Sequence, residues 1–474
     1  MPINSTHPEY QRHIDCVMKT KDAFEGDVKN YVPRLSGQTN LQYENYRGRA
    51  SYYNVVDRTM MALLGALMRK PLTLEGVVGD DPVCADDCSF EELVQQAYVE
   101  LMTGGRIGLM CDYSAEWDSP YLLVYRSEDI TNWGDNFVVL REHFYAQDAS
   151  DRYLTVKKCR YRELFLDEDG FYTVRIWEQQ AGTNGKFAEV TTKTQFKLVE
   201  EIQPTYRGQA LEFLPFVFCT PYDTSKNVYK PTLFNIADIN IEHFKIAVDI
   251  AHGAHFLALP TPYVAGNLAN DAQTVRIGSD EVVQLQQGST VGFWEFQGAG
   301  MKFLMDLQKT KEEQMFSLGS RLLQYKAGVE SSDALQMRLG AEGASLTTIA
   351  NSLENALVEI LEMYNLWFGY PEAEVSLELN KDFSPSKMAP DEIRVLLEAF
   401  QQGAITLDTM LQRLYEGEIV DSVQEEMEGL TGQEEPGEAQ ESAIEGAASE
   451  DETFEEAQAL QRDQGLRSQI NTNA

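Results

Sequence analysis

Apolar residues recur at helical spacing in three long stretches, between about residues 233 and 368. The first stretch, LFNIADINIEHFKIAVDIAHGAHFLAL, is apolar nearly all round, which is typical of a helix buried on several sides. A short β-rich excursion separates it from the second, MKFLMDLQKTKEEQMFSLGSRLLQY, and a loop, KAGVESSDAL, precedes the third, ASLTTIANSLENALVEILEMYNLWF. Two long helices that leave the body of the subunit, carry a small module and return would form a shaft. A single subunit offers this shaft little surface to pack against. The pattern therefore predicts one spoke of a ring.

Shorter helices are predicted before this region. Residues 8–32 have a modest helical pattern, and residues 31–54 are expected to form loop and turn because they contain proline and glycine. Asn54 can cap an amphipathic helix that ends before Pro71. Ser89 with Glu92 forms a capping box for the next helix, which a pair of glycines ends.

The pattern changes to short β segments between residues 121 and 218. Hairpin turns are expected at residues 167–170 and 182–185, where the sequences DEDG and GTNG lie between these segments. An antiparallel sheet with helices N-terminal to it defines an α+β fold.

One strand and two short helices are predicted after the third long stretch. Val375, Leu377 and Leu379 alternate as in a strand. Two amphipathic helices follow, separated by Gly403, and Thr406 can cap the second. From residue 425 the chain holds 14 acids and 2 bases, a composition typical of disorder.

Composition limits the classes of function. The 474 residues carry 75 acids against 39 bases, a net charge of -36. This charge argues against a protein that wraps nucleic acid, because wrapping requires a basic footprint. The polar N-terminus does not resemble a signal peptide, and no apolar run is long enough to span a bilayer. The six cysteines are scattered, which favours free thiols over disulfides or a zinc site.

Catalytic and cofactor motifs are largely missing from the sequence. There is no phosphate-binding P-loop, no G-x-S-x-G, no H-E-x-x-H and no dinucleotide fingerprint. His252 and His255 are one turn apart on the first long helix, with His243 nine residues before His252, so a metal-dependent hydrolase is the alternative from a different class. Ordinary helix-face histidines are the better interpretation. We therefore expect a non-enzymatic protein with no cofactor and no bound metal.

Element order and apolar spacing over residues 25–425 resemble those of portal proteins, the head-to-tail connectors of tailed double-stranded DNA bacteriophages. The resemblance is carried by the run YVPRLSGQTNLQYENYRGRASYYNVVDRTMMALLGALMRKP, by KPTLFNIADINIEHFKIAVDIAHGAHFLALPTPYVAG, by SSDALQMRLGAEGASLTTIANSLENALVEILEMYNLWFG and by GAITLDTMLQRLYEGEIV. It implies a subunit with an α+β wing, two long stem helices, a small β-containing clip, a tunnel loop, a long wing helix and a helical crown. The implied boundaries are 1–232 for the N-terminal wing, 233–258 for the first stem helix, 259–297 for the clip, 298–325 for the second stem helix, 326–340 for the tunnel loop, 341–385 for the long wing helix and return strand, 386–430 for the crown and 431–474 for an acidic tail.

The resemblance also implies a function and its partners. A homo-oligomeric ring, usually of twelve subunits, would sit at one capsid vertex, with double-stranded DNA passing through it without sequence specificity during packaging and ejection. The terminase large subunit, neck or adaptor proteins and the major capsid or scaffold protein would be its partners. It would reside in the virion, and in the host cytoplasm during assembly, with no membrane partner. A different virion structural protein, such as a minor capsid or scaffold-associated component, is the alternative.

Candidate contact residues follow from the same resemblance. Sparse basic residues along an otherwise acidic tunnel would face DNA, and the alternative for them is a solvated helix face with i, i+3 and i+4 ion pairs. The DNA-facing candidates are Lys302, Lys309, Lys311, Arg321, Lys326 and Arg338. The candidates for contact with the motor or adaptors are Asn267, Asp271, Arg276, Asp280 and Glu281.

Overall fold

The helices of the N-terminal region surround the first part of the chain's long central helix. In the computed structural model, the described residues are 2–79, 82–85, 88–114, 117, 119–147, 152–153, 155–180, 194–258, 261–266, 287–294, 299–319, 332–370, 373–383, 390–417, 419–420, 423 and 426–427. The chain divides into two compact units, Met1–Phe383 and Ser384–Ala474. The N-terminal helices are α1 (Pro8–Glu25), α2 (Asn40–Arg47), α3 (Val55–Leu67) and α4 (Phe90–Gly104), with a 3₁₀ turn at Lys29–Tyr31.

The predicted helix caps are confirmed. The Asn54 side chain accepts a hydrogen bond from the backbone N–H of Asp57 at 3.0 Å, which starts α3. Ser89 and Glu92 form a reciprocal capping box at the start of α4, and Gly105 ends that helix with a left-handed φ of 72°. These local signals therefore fix where the two helices begin and where α4 stops.

The expectation of loop and turn throughout residues 31–54 is wrong, because α2 lies within this segment. Thr39 and Gln42 form a capping box there, with the Gln42 side chain accepting from the Thr39 backbone N–H at 2.9 Å. Tyr46 is buried against the central helix. An eight-residue helix is too short to be stable alone, so tertiary packing through Tyr46 supplies what the local sequence does not.

Two antiparallel sheets follow the N-terminal helices. A three-stranded sheet of order β11-β2-β3 is built from β2 (Ile107–Ser114), β3 (Ser119–Arg126) and β11 (Phe216–Cys219). A five-stranded sheet runs in chain order through β4 (Ile130–Trp133), β5 (Phe137–Gln147), β6 (Thr155–Leu166), β7 (Tyr172–Gln179) and β8 (Phe196–Ile202), and a small hairpin pairs β9 (Thr205–Tyr206) with β10 (Gln209–Ala210). The predicted turn at 167–170 joins β6 to β7, and the one at 182–185 lies outside the described residues. The fold is a mixture of helix and antiparallel sheet.

Three long helices form the centre of the chain. They are α5 (Phe234–Ala258), α6 (Ala299–Gly319) and α7 (Ser332–Phe368), and a ribbon of β12 (Thr261–Ala265) and β13 (Thr290–Trp294) lies between α5 and α6. Helix α7 begins earlier in the sequence than expected, so residues 332–340 of the segment assigned to the tunnel loop are helical. That stretch, SDALQMRLG, contains no proline, and its one glycine, Gly340, costs only about 1 kcal/mol in a helix interior.

Helix α7 supplies much of the main core. Leu353 and Leu357 have no exposed surface, as the helical spacing predicted, and Tyr364 is 1% exposed. The chain then returns as β14 (Ser376–Glu378), which pairs with β1 (Thr73–Glu75). The predicted alternation is confirmed where Leu377 and Leu379 are both buried in this core.

The second unit contains α8 (Pro390–Gln401) and α9 (Leu407–Glu416). Thr406 caps α9 by accepting a hydrogen bond from the Thr409 backbone N–H at 3.2 Å, as predicted. Leu411 is buried, whereas Val395 and Leu397 are largely exposed. The acidic segment from residue 428 to the end lies outside the described residues.

Candidate functional site

Helices α5 and α6 pair side by side and run in opposite directions. Lys311 donates to Glu242, and the neighbouring His243 Nε2 lies 3.2 Å from Glu312 Oε1. Farther along the pair, a Cβ added at Gly253 would lie 2.5 Å from the Met301 Cε atom. Contact positions therefore rise along α5 as they fall along α6. The two helices form the antiparallel shaft that the sequence predicted.

The first half of α5 is embedded in the body, which explains why that helix is apolar nearly all round. Ile241, Phe244 and Val248 are each at most 1% exposed. The Asn240 side chain, also buried, accepts from the Tyr52 hydroxyl at 2.8 Å and from a backbone N–H of α3 at 3.0 Å. These hydrogen bonds satisfy a polar group within the core and fix α5 against the N-terminal helices.

Helix α6 differs from α5, because four of its large apolar side chains are exposed and lie in two strips along the helix. Strip A consists of Phe303, 69% exposed, and Leu318, 51% exposed. Strip B consists of Met305, 56% exposed, and Phe316, 42% exposed. At 100° per residue, the members of each strip are within about 60° of each other, and the two strips are about 160° apart around the helix axis. Each flank of α6 thus presents apolar surface to solvent.

A charged face separates the two strips. Lys302, Asp306, Lys309 and Glu313 are all exposed, and by helical geometry they fall within about 60° on the side of α6 turned away from α5. Two of these side chains are cationic and two are anionic. This face of the helix is therefore charge-balanced, in a chain whose net charge is -36.

The predicted contact residues fall into four groups. Lys302 and Lys309 lie together on the charged face, whereas Lys311 lies in the seam between the helices and is neutralised by Glu242. Arg338 lies on α7, outside the residues whose side chains are described. The remaining candidates, Arg321, Lys326, Asn267, Asp271, Arg276, Asp280 and Glu281, lie outside the described residues.

Two of the three histidines of α5, His243 and His252, have different surroundings. His243 is 3% exposed and faces Glu312, and the ring of His252 stands edge-on to Tyr46 with 5.0 Å between centroids. Burial lowers the pKa of His252, and the positive charge of Arg49 lowers it further. No group of three metal-ligating side chains is found in the part of the chain that the structure describes. Within that same part, no helix is both long enough and apolar enough to cross a bilayer.

The β12–β13 ribbon lies beyond the ends of α5 and α6. Its five paired positions run from Thr261 opposite Trp294 to Ala265 opposite Thr290. Tyr263 is 47% exposed and Val291 is 51% exposed. An isolated two-stranded ribbon is marginally stable in water, so such a ribbon is expected to need a further surface.

Sequence reasoning missed a cavity of about 930 Å³ between α4, β3, β5 and β6. Arg162 bridges Glu142, at 2.8 Å from its Oε1 atom, and Asp112. Burial alone would raise the pKa of Glu142, but Arg162 and Arg160 outweigh burial and hold that pKa below its usual value. The signal in the sequence that could have revealed this network is the alternation of charged residues along β5 and β6. Because the cations are matched by carboxylates, the arrangement is an ion-pair network that joins the two sheets.

Comparison with known proteins gives one family match. A family model described as a domain of unknown function, DUF4055, matches residues 232–368, the region from the start of α5 to the end of α7. A search of curated proteins finds no match.

Three of the solved structures that align with the chain are two structures of gene transfer agent particles and one of a phage portal protein. A structure of the virion of a native gene transfer agent particle is 13% identical and covers 84% of this chain and 98% of its own, with a TM-score of 0.41. A structure of the neck of an empty gene transfer agent particle is 12% identical and covers 76% of this chain and 89% of its own, with a TM-score of 0.40. An HK97 family phage portal protein from Corynebacterium diphtheriae is 12% identical and covers 68% of this chain and 91% of its own, with a TM-score of 0.28. The third of these structures is described as a portal protein, and the other two are described as a virion and a neck.

Proposed function

We propose that this chain is a portal-type subunit that forms a ring at one capsid vertex, through which double-stranded DNA is packaged and ejected. The observation that carries the proposal is the surface of α6, where two exposed apolar strips flank a charge-balanced face. The sequence resemblance to portal proteins supplies the biological setting. The ring would belong to the virion, after assembly in the host cytoplasm.

The two strips favour a closed ring over other assemblies. A two-fold dimer uses the same patch on both copies, so a contact through one strip would leave the other strip in water. A head-to-tail ring gives every copy a neighbour on each side and covers strip A and strip B in all copies. Because the strips are about 160° apart, the two neighbours of α6 would lie on opposite flanks, as around an axis.

In such a ring the charged face of α6 would line the channel. A strongly basic channel wall would slow the passage of DNA, because each phosphate that the wall neutralises adds to the affinity of the wall for DNA. Lys302 and Lys309 alternate with Asp306 and Glu313, so every cation ring would lie near an anion ring. DNA would then pass without a deep energy well, and the acidic remainder of the chain would keep it from binding elsewhere.

The remaining parts of the chain would take the roles implied by the resemblance. The β12–β13 ribbon, within the predicted clip, would meet the terminase large subunit during packaging and neck or adaptor proteins afterwards. The N-terminal sheets and α7 would form the wing, with the helices of the second unit as the crown. The sequence has no ATPase motif, which agrees with a separate motor that supplies the force.

Electron microscopy of the purified full chain tests the proposal. Class averages viewed down the symmetry axis should contain rings with a central hole. Phe303→Ser with Leu318→Ser should abolish the rings, because serine removes the apolar surface of strip A. Tyr145→Ser with Val199→Ser is the matched control, since both residues are exposed apolar positions on the five-stranded sheet.

Three results would contradict the proposal. A wild-type chain that is a monomer, or that assembles without a hole, would exclude a conduit and favour another virion structural protein. Rings that survive removal of strip A would show that this strip is not a contact.

A further inference from the structure

A long stretch near the N-terminus is net basic, although the chain as a whole is acidic. Residues 28–70 hold seven bases and two acids, whereas the remaining residues hold 32 bases and 73 acids. We call residues 28–70 the basic segment; it includes α2 and α3. An exposed surface of this charge is complementary to a partner of negative charge.

The basic segment lies along one side of α5. The Tyr52 hydroxyl reaches Asn240, and Val55 donates its backbone N–H to the same side chain at 3.0 Å. Farther along α5, the Tyr46 hydroxyl donates to Asp249. These anchor points are nine residues apart on α5, about 14 Å along its axis. The segment is therefore fixed beside the shaft, and its outward side chains have a defined position.

The cations of the segment are mostly exposed to solvent. Arg69 and Lys70 pair with Asp382. In contrast, Arg34, Arg49 and Arg58 are exposed, and none of them lies within ion-pair distance of a carboxylate among the residues that the structure describes. The segment thus presents guanidinium groups that no carboxylate of the described residues neutralises.

Two guanidinium groups of the basic segment, those of Arg34 and Arg47, lie near the ring of Tyr43. The Arg34 Cζ atom lies 6.0 Å from the centroid of the Tyr43 ring, and the Arg47 Cζ atom lies 5.3 Å from it. Arg34 also donates to the Gln38 carbonyl oxygen, and Arg47 pairs with Glu44 at 2.8 Å. Contacts of this kind reduce the entropy lost when an arginine engages a partner.

Exposed apolar side chains distinguish between a protein and a nucleic acid as the partner. Leu41 is 71% exposed, Met61 56%, Tyr53 51% and Leu35 44%. Arginine, methionine and aromatic residues are enriched in protein–protein interfaces, from which lysine and acidic residues are depleted. A surface for a phosphate backbone has no use for exposed leucine or methionine. The composition of the segment therefore favours a protein partner.

We propose that the basic segment is one face of the contact between neighbouring copies, where it receives an acidic surface of the adjacent copy. This inference rests on the proposed ring. A second copy fits the required chemistry because it has 73 acids outside its own basic segment. Identical subunits of net charge -36 repel one another at long range, and a local basic face opposite an acidic one offsets this repulsion at the contact.

The test compares two triple variants that remove the same charge from different surfaces. Arg34→Ala, Arg49→Ala and Arg58→Ala remove three exposed cations from the basic segment. Arg152→Ala, Lys157→Ala and Lys197→Ala remove three exposed cations from the five-stranded sheet. Both variants change net charge equally, so only a specific contact can separate them. Mass photometry over a dilution series, at 50 mM and 500 mM salt, would give the concentration at which half of the subunits are in rings.

We expect the first variant to raise that concentration at least tenfold at 50 mM salt and the second to change it less than threefold. High salt should narrow the difference between wild type and the first variant, because it screens the attraction between the basic face and the acidic one. Unchanged thermal unfolding of the variant subunits is the control for folding, and Leu41→Ser provides a second, uncharged perturbation of the same face, expected to weaken assembly as well.

Two outcomes would overturn the inference while leaving the proposed function intact. The first is that wild type forms rings and the Arg34, Arg49, Arg58 variant assembles equally well. The second is that this variant assembles normally but no longer retains duplex DNA at low salt, which would make the segment a DNA surface. If wild type forms no ring, the proposed function itself fails.

Discussion

Reversal of the charge of Lys311, in the seam between α5 and α6, tests the antiparallel pairing of these two helices. Lys311 donates to Glu242 across the seam, and Glu312 lies beside it. Lys311→Glu would place a carboxylate opposite Glu242, whereas Lys311→Met would remove the ion pair without adding a charge. The structure predicts that both changes lower the free energy of unfolding, the first more than the second.

The size of the effect follows from the exposure of the two side chains. Two charges about 4 Å apart interact by about 4 kcal/mol at an effective dielectric constant near 20. The Lys311 and Glu242 side chains are 21% and 46% exposed, so water screens this interaction and the pair contributes about 1 kcal/mol. Lys311→Met should therefore cost about 1 kcal/mol, and Lys311→Glu about 2 kcal/mol because repulsion replaces attraction.

Urea unfolding of the variants, extrapolated to water, measures these differences. The decisive comparison is the double variant Lys311→Glu with Glu242→Lys, in which the pair is restored with exchanged charges. This variant should recover to within about 0.5 kcal/mol of wild type, since a coupling between neighbouring residues appears as non-additivity. At 1 M salt the cost of Lys311→Glu should shrink, because the Debye length falls to about 3 Å.

A different set of unfolding free energies would refute the placement of Lys311 between α5 and α6. If Lys311 instead faced a channel, Lys311→Glu would leave stability unchanged and would alter only the passage of DNA. Glu242→Lys would then fail to rescue it, and the antiparallel register of α5 and α6 would be wrong.

Three further changes have defined outcomes. Gly105→Ala should lower the free energy of unfolding in urea by about 3 kcal/mol, because φ is 72° and the new Cβ would lie 2.3 Å from the Tyr229 carbonyl oxygen. Gly170→Ala, at φ 86° but with open space around it, should lower it by about 1 kcal/mol. Equal losses in the two variants would contradict the close approach at Gly105. Leu357→Asp should yield no soluble folded protein, because it places an unpaired charge in the core; a folded variant would refute the packing of α7. Burial raises the pKa of Asp129 to about 6. The folded state therefore resists ionisation of this carboxyl, and the free energy of unfolding falls by about 1–3 kcal/mol as pH rises from 4 to 6. Asp129→Asn should flatten this dependence on pH, and parallel slopes for wild type and variant would show that Asp129 is not its source.

Helix caps were predictable because their cause is local. Asn54 and Thr406 each stand directly before an amphipathic run, and both side chains cap the helices as expected. The capping box of Thr39 and Gln42 has the same form, but few apolar residues follow it, so the sequence pattern of α2 was not distinguishable from loop. Tyr46 is buried against α5, a helix some 200 residues away in the chain, and no local pattern shows this contact.

The faces of α6 could not be predicted for a similar reason. Lys302, Lys309 and Lys311 are alike as sequence, and each could face a channel. Their positions differ because α5 lies against one side of α6, and Lys311 is separated from its partner Glu242 by 69 residues. No spacing rule relates residues so far apart. The register of the two helices decides which lysine is neutralised and which two are left on the charged face.

A cryo-electron microscopy reconstruction of the purified full chain would show whether the subunits form the proposed ring. The reconstruction should contain a closed ring in which α6 faces an axial channel at least as wide as duplex DNA. Lys302, Asp306, Lys309 and Glu313 should line the channel, with strips A and B buried between adjacent copies. A solid centre, a monomer, or a channel lined by another surface while the charged face of α6 points outward would contradict it.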